Sequence, residues 1–362
     1  MSSIVVGLSG GVDSAVAALL LQRQGHDVSA VFMKNWDEDD TEDYCAAAQD
    51  LADARAVAGR LDMSLETVSF SAEYWNRVFA HFLAEYHAGR TPSPDIVCNR
   101  EIKFRAFLDY ALESGAERIA TGHYARIDRT PEMRLLKGVD KHKDQTYFLH
   151  TLTREQLGKS LFPLGGLLKN EVRGLARKAG LPVHDKKDST GICFIGERRF
   201  SEFLARYLER TPGEIRTLDD AVVGEHDGLM FYTIGQRQGL GIGGRRGAGN
   251  APWYVAGKDM EHNILRVVQG RDHPALFSQG LQASRVHWIG GQPPTLPFRC
   301  TARIRHQQPV QACTVSGENP DDCSVAFAAP QRAVTPGQSV VFYTDDICLG
   351  GGIIETALAT SG

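Results

Sequence analysis

With 362 residues and 42% apolar side chains, the chain is long enough for two or three globular domains and too mixed to be fibrous or disordered. It has no apolar run that would span a bilayer and no Arg-rich or apolar leader, so a cytoplasmic protein with no membrane partner is expected. The net charge of −4 does not by itself indicate nucleic acid, yet residues 100–250 carry an excess of Lys and Arg that could face phosphates. The seven cysteines are odd in number, widely spaced and lack a C-x-x-C pair. That pattern argues against a disulfide framework and a zinc site, and leaves individual thiols for chemistry.

Ser3–Val6 is β-branched and apolar, as a buried strand should be, and Ala15–Gln24 reads as a helix closed by Gly25. Between them runs Gly7-Leu8-Ser9-Gly10-Gly11-Val12-Asp13-Ser14. A strand, a glycine turn and a helix start make an anion site. Gly10 and Gly11 let the backbone come close, Ser9 and Ser14 add hydroxyls, and the helix start adds free N–H groups. A Walker A loop needs Gly-Lys-Ser/Thr, and no Lys lies here; the glycines do not fit G-x-G-x-x-G either. Ser9–Ser14 instead resembles the pyrophosphate loop of the N-type ATP pyrophosphatases. The resemblance implies ATP cut between its α- and β-phosphates, giving an adenylated substrate and pyrophosphate. The plainer alternative is a glycine turn that only caps a helix.

Asp27–Met33 reads as a second strand, Asp37–Asp43 as an acidic solvated loop, Tyr44–Leu61 as an Ala-rich helix and Ser64–Ser69 as a third strand. Met33 stands at a strand end, where open α/β sheets bind ligands, or else packs in the core. With the amphipathic helix Tyr74–Tyr86, the alternation predicts a parallel sheet covered on both faces. Gly89–Arg100 contains Pro92 and Pro94 and reads as a loop, followed by a helix from about Asn99. Cys98 then falls at a helix N-terminus beside Arg100, which favours thiolate, and Asp95 is close enough to move a proton. A buried small hydrophobe is the other reading of Cys98. A short strand Arg118–Thr121 leads to Gly122, which suits close approach of a nucleotide, and to His123, structural or functional. Lys141–Leu149 is basic, then aromatic: an RNA contact or a solvated loop before a core segment. Asn170–Ala179 reads as a basic helix. Cys193 lies between Gly191 and Gly196, which would free a thiol to swing between partners; a buried strand cysteine is the plainer reading.

Arg199–Leu208 reads as the last helix before a boundary, and Arg271–Pro274 suggests a second, giving segments 1–208, 209–270 and 271–362. The Gly-rich, basic stretch from Phe231 to Gly247 is an RNA-facing loop or a hairpin connection. Phe298–His306 alternates: Phe298, Cys300, Ala302 and Ile304 inward, Arg299, Arg303 and Arg305 outward as a basic stripe for phosphates or solvent. Thr335–Gln338 is a turn into the strand Ser339–Tyr343.

Across nearly its whole length the chain resembles the tRNA-specific 2-thiouridylase family. The resemblance rests on Ser9–Ser14, Pro94-Asp95-x-x-Cys98-Asn99, Thr121–Arg126, Lys143-Asp144-Gln145, Asp188–Gly196, Phe231–Arg237 and Leu349–Gly352. It implies an α/β parallel sheet of the adenine nucleotide alpha-hydrolase-like, Rossmann type, followed by two smaller β-rich domains, the last a small β-barrel. It implies that Gly7, Leu8, Ser9, Gly10, Gly11, Val12, Asp13, Ser14, Met33 and Gly122 bind ATP, used with Mg2+. Cys193 would carry a persulfide from a sulfur-relay donor protein. Cys98 would be the second catalytic thiol and Asp95 an acid/base. Ser93, Pro94 and Asp95 would hold the target base of a tRNA anticodon stem-loop. His123, Lys143, Asp144, Gln145, Arg305, His306 and Gln338 would touch the tRNA, and the enzyme would act as a monomer. Two positions depart from the family pattern: Ser93 replaces the usual Asn, keeping a polar group with less reach, and His306 replaces the usual Gln. Two rival readings are a pyrophosphate-loop synthetase that uses ammonia, which would not need both thiols, and a non-catalytic RNA-binding module, which would leave the ATP loop without purpose.

Overall fold

The computed structural model describes residues 2–36, 46–188, 200–243, 251–319 and 321–359. The first segment supplies β1 (Ser3–Gly7), β2 (Asp27–Lys34), β3 (Leu65–Ser69), β4 (Arg118–Ala120), β5 (Ala125–Asp128), β6 (Arg134–Lys137) and β7 (Ser160–Leu161). Five of these form a parallel sheet in the order β3-β2-β1-β4-β7. β1 is central, and its side chains alternate between two cores. Ile4 and Val6 join Ala15–Ala18 of the helix Val12–Arg23 on one face; Val5 joins the aromatic cluster of Tyr74, Phe79 and Phe82 on the other. Burial on both faces explains why this strand reads as an unbroken apolar run.

The middle segment builds a four-stranded sheet from β8 (Gly213–Arg216), β9 (Val222–His226), β10 (Trp253–Asp259) and β11 (Ile264–Gln269), ordered β10-β11-β8-β9. Its core is Ile215, Val255, Leu265 and Val267. The last segment supplies β12 (Phe277–Trp288), β13 (Phe298–Arg303), β14 (Gln311–Asn319), β15 (Asp322–Arg332), β16 (Ser339–Thr344) and β17 (Ile347–Ala359). They follow the order β12-β15-β14-β13-β16-β17, and β12 also pairs with β17, so the sheet closes into the expected barrel. Closure leaves no exposed edge along those strands.

One connection was not legible in the sequence. The β5–β6 hairpin leaves the parallel sheet and adds to the barrel, with Leu135 and Leu136 paired to Cys348 and Ile347 of β17. The first and last segments therefore share a sheet. The expected basic stripe on β13 is also corrected. Ala302 and Ile304 do enter the barrel core, but Arg303 pairs with Asp144 of the first segment, at 2.8 Å. Arg305 donates to the carbonyls of Ile234 and Ala333 and to Thr335 Oγ1. Alternation identified which side chains leave the barrel interior but not that other segments cover them. Among the described residues, no helix is long and apolar enough to cross a membrane.

Candidate active site

The Gly7–Ser14 loop leaves the C-terminal end of β1, and its geometry follows from its glycines. Gly10 has φ +75°, and a Cβ there would lie 2.2 Å from the Asp50 carbonyl oxygen. Only glycine meets both conditions. Gly11 occupies the N-cap position of the helix Val12–Arg23 with no side-chain cap, so the first-turn N–H groups remain for an anion. The Ser9 and Ser14 hydroxyls lie 3.2 Å apart, and Ser14 Oγ donates to the Gly11 carbonyl. Gly122, after β4, presses against the same helix start: a Cβ would lie 2.8 Å from the Ser14 nitrogen. The Met33 methyl stands 3.1 Å from where a Gly7 Cβ would project. The loop, Met33 and Gly122 are thus brought to one place.

The positive charge missing from the loop comes from elsewhere. Lys169 Nζ donates to both Asp13 oxygens, at 2.8 and 2.7 Å, and pairs with Asp188 at 2.8 Å. Lys143 and Arg173 also bind Asp188, at 2.6 and 2.9 Å. Burial would raise the Asp188 carboxyl, but hydrogen bonds from Lys143 and Lys169 outweigh it and push the pKa down to about 2. The Tyr124 hydroxyl donates to Asp13 at 2.8 Å; its own pKa is raised by burial and by that carboxylate. Lys186 joins the Gly10 carbonyl to Asp50 at 2.8 Å and to Asp53, and those carboxylates hold its ammonium above the ordinary range against burial. Gly10 and Asp13 apart, none of these residues was read from the sequence as ATP-binding. The available signal was the basic helix Lys169–Lys178 and the Lys186-Lys187-Asp188 charge run.

The second half of the site is the helix carrying Asp95 and Cys98. It begins at Pro94, not near Asn99, because proline at the first helical position has no N–H to lose and a φ suited to a helix. The Asn99–Ala106 stretch continues it as a π-helix. Cys98 therefore sits one turn inside the helix, 1% exposed, rather than at a helix start open to solvent. Asn99 Nδ2 donates to the Phe148 carbonyl at 3.2 Å, and the Phe148 ring packs 4.4 Å from His306. His306 Nε2 lies 2.9 Å from the Asp144 carbonyl oxygen. Burial lowers its pKa, opposed by the charges of Asp144 and Asp95. Asp95, His306 and the Lys143–Gln145 segment accordingly form one neighbourhood.

Tyr124 links the halves: its N–H donates to Gln145 Oε1, its carbonyl accepts from the Gln145 N–H, and its hydroxyl reaches Asp13. Several expected tRNA contacts have their side chains turned inward. Asp144 is 3% exposed and accepts from Arg303 and Thr146. His123 is held by Thr121 at 2.7 Å between Phe104 and Phe162, and burial pushes its pKa well down, so the ring is neutral. Gln338 Nε2 donates to the Thr91 carbonyl at 2.7 Å. Cys193 and Cys45 lie outside the described residues.

Three family models cover the chain in order: a tRNA methyl transferase HUP domain over residues 2–197, a tRNA methyl transferase PRC-barrel domain over 201–269 and an aminomethyltransferase beta-barrel domain over 278–354. Among solved structures, a 4-thiouridine synthetase–RNA complex with bound ATP aligns with 56% of this chain and 50% of its own, at 19% identity and a TM-score of 0.36. Full-length relatives are far more similar. The tRNA-specific 2-thiouridylase of Methylococcus capsulatus is 61% identical over 97% of this chain and 96% of its own. Those of Pseudomonas aeruginosa and Nitrosomonas eutropha are each 59% identical, over 98% and 99% of this chain and 95% and 99% of theirs. On this whole-length identity, the chain belongs to the tRNA-specific 2-thiouridylase family.

Proposed function

We propose that the chain replaces the 2-carbonyl oxygen of the tRNA wobble uridine with sulfur, using ATP and a cysteine persulfide. The observation that carries this reading is a lysine-free phosphate loop joined, through Tyr124 and Gln145, to a helix bearing Asp95 and Cys98, in a chain with full-length 2-thiouridylase relatives. The segments 1–208, 209–270 and 271–362 act as catalytic, central and barrel domains of a cytoplasmic monomer.

A carbonyl oxygen leaves poorly, so it is first adenylated. The uridine O2 attacks the α-phosphate of ATP, and pyrophosphate leaves toward the Gly7–Ser14 loop. The first-turn N–H groups and the hydroxyls of Ser9 and Ser14 receive it, and Lys169, Lys143 and Arg173 stand ready to neutralise it. Mg2+ takes hard oxygen ligands and usually keeps phosphates and water beside one or two carboxylates. Asp13, in the first turn of the helix, fits that role, and the ion would screen the phosphate charge.

Ser93, Pro94 and Asp95 face the extruded base of a single-stranded anticodon loop. A persulfide on Cys193, supplied by a relay protein, attacks C2 through its outer sulfur, and AMP departs. The Cys98 thiolate then attacks Cys193 Sγ; the persulfide S–S bond breaks and its electrons remain on the sulfur at C2. The products are 2-thiouridine and a Cys98–Cys193 disulfide, which an external thiol must reduce. Lys143, Gln145, Arg305, His306 and Gln338 line or brace the tRNA path, with His123 and Asp144 supporting it from beneath.

The test is mass spectrometry of nucleosides from unmodified tRNA incubated with ATP and a low-molecular-weight persulfide. A thiolated uridine, lost in Cys193→Ser and in Cys98→Ser, is expected. Tightly bound tRNA without a thiolated nucleoside, or a methylated uridine made from S-adenosylmethionine, would overturn the reading.

A further inference from the structure

Three consecutive residues just before the Asp95–Cys98 helix are gripped by the other two segments. Gly89 has φ +73°, and a Cβ there would lie 2.3 Å from Met260 Sδ, so glycine lets the end of β10 rest on the chain. Its carbonyl accepts a hydrogen bond from Lys258 Nζ at 2.8 Å. Arg90 donates to Glu85 at 2.7 Å and in a fork to Glu355 of β17. The Thr91 N–H donates to the Pro336 carbonyl at 2.9 Å, its carbonyl accepts from Gln338, and its hydroxyl lies 3.4 Å from that of Thr233. The barrel turn fits closely: Gly337 has φ +90°, and a Cβ there would lie 2.9 Å from the Thr91 nitrogen.

Lys258 is the unusual member. Burial lowers its pKa to about 8, and among the described residues it forms no ion pair. A half-buried ammonium without a carboxylate beside it costs stability. The contact it makes in return is with the carbonyl of Gly89, four residues before Ser93. We propose that Lys258 is a positioning residue for thiolation: it fixes the Gly89–Thr91 turn against the central domain, and so sets where Asp95 and Cys98 meet the base. This rests on the function proposed above. It also means that a tRNA held by the β domains is held by the parts that locate the catalytic helix.

Lys258→Met removes the ammonium and keeps the aliphatic length; Lys258→Arg keeps a donor. With Lys258→Met, kcat for 2-thiouridine formation should fall by about tenfold to a hundredfold, the cost of a small misplacement of reacting groups. KM for ATP should not change, and Lys258→Arg should recover most of the rate. Hydrogen exchange, which needs no substrate, should show faster exchange of amides 89–98 in Lys258→Met, with those of Ser3–Gly7 and Val12–Arg23 unchanged. Should Lys258→Met not fold, Lys258→Gln, a neutral donor, is expected to show a partial loss in both readouts. Unchanged kcat with unchanged protection of 89–98 would overturn the proposal. So would a loss that Lys258→Arg does not recover, accompanied by faster exchange throughout the first domain. A wild-type protein that does not thiolate tRNA would refute the proposed function instead, and the exchange experiment would still decide the role of Lys258.

Discussion

The Gly7–Ser14 loop takes most of its internal hydrogen bonds from chain neighbours, although Lys186 reaches the Gly10 carbonyl from 176 positions away. Ser9 bonds Ser14, Ser14 bonds Gly11, and the N–H groups belong to the helix that follows. The Gly89–Cys98 segment takes its shape from afar: Thr233 lies 142 positions from Thr91, and Glu355 lies 265 positions from Arg90. The first can bind an anion wherever a strand and helix are placed around it. The second exists only once three segments have docked. In the proposed mechanism both steps need the seated base, but the phosphate site would be pre-set, whereas the placement of Asp95 and Cys98 would depend on the docked segments.

The hardest test of the assembled half is Arg303→Met. It leaves the Asp144 carboxylate, 3% exposed, at the junction of the first segment and the barrel without its Arg303 partner, with hydrogen bonds from Gly138 and Thr146 remaining. Breaking such a pair costs about 3–5 kcal/mol, which urea unfolding would read. Unchanged stability would mean that the junction does not depend on this pair.

The local half is tested by Asp13→Asn. The variant should fold, yet lose about a hundredfold to a thousandfold in AMP formation, because Lys169 and Tyr124 lose the carboxylate they converge on. AMP release at the wild-type rate would remove Asp13 from the mechanism.

The next effect is a pH dependence of the junction. Burial lowers His150 to about 4, where its Nδ1 lies 2.8 Å from the Tyr147 carbonyl oxygen and its ring meets Gly351 of β17. Burial lowers His123 as well. A histidine depressed in the fold is protonated first in the unfolded chain. Its stabilisation is therefore complete above the ordinary value near 6.5 and declines as pH falls toward 4. His150 alone accounts for about 3 kcal/mol of this. Asp188, held near 2, loses its contribution only below the ordinary value of 3.8, so the two windows separate. A melting temperature flat from pH 7 to 4 would contradict the buried, neutral histidines. The smallest effect is expected for Tyr124→Phe, which removes one hydrogen bond to Asp13: about 1 kcal/mol, or roughly fivefold in rate. A larger loss would mean that Tyr124 also carries the coupling to Gln145.

The same division explains what could be read from residues alone. The strand, loop and helix around Gly10 were legible because period, glycines and hydroxyls lie within one short stretch. The inward and outward faces of β13 were legible from alternation along Phe298–Ile304, whereas the barrel itself was implied by the family resemblance. The destinations of the cations were not. Lys169 reaches Asp13 across 156 positions, and nothing local distinguishes it from Lys178 on the same helix. The prolines misled for a local reason: they place Pro94 in a loop before a helix from about Asn99, whereas the helix starts at Pro94. Arg303 and Arg305 were correctly placed outside the barrel, but alternation cannot reveal that another segment covers that face.

The central claim is that adenylation and sulfur transfer are joined in one turnover. It is tested most directly by a single-turnover reaction of persulfide-loaded protein with ATP and unmodified tRNA, counting AMP, pyrophosphate and 2-thiouridine together. Equal yields of all three are predicted. ADP and phosphate in place of AMP and pyrophosphate, or 2-thiouridine formed without ATP, would contradict the account.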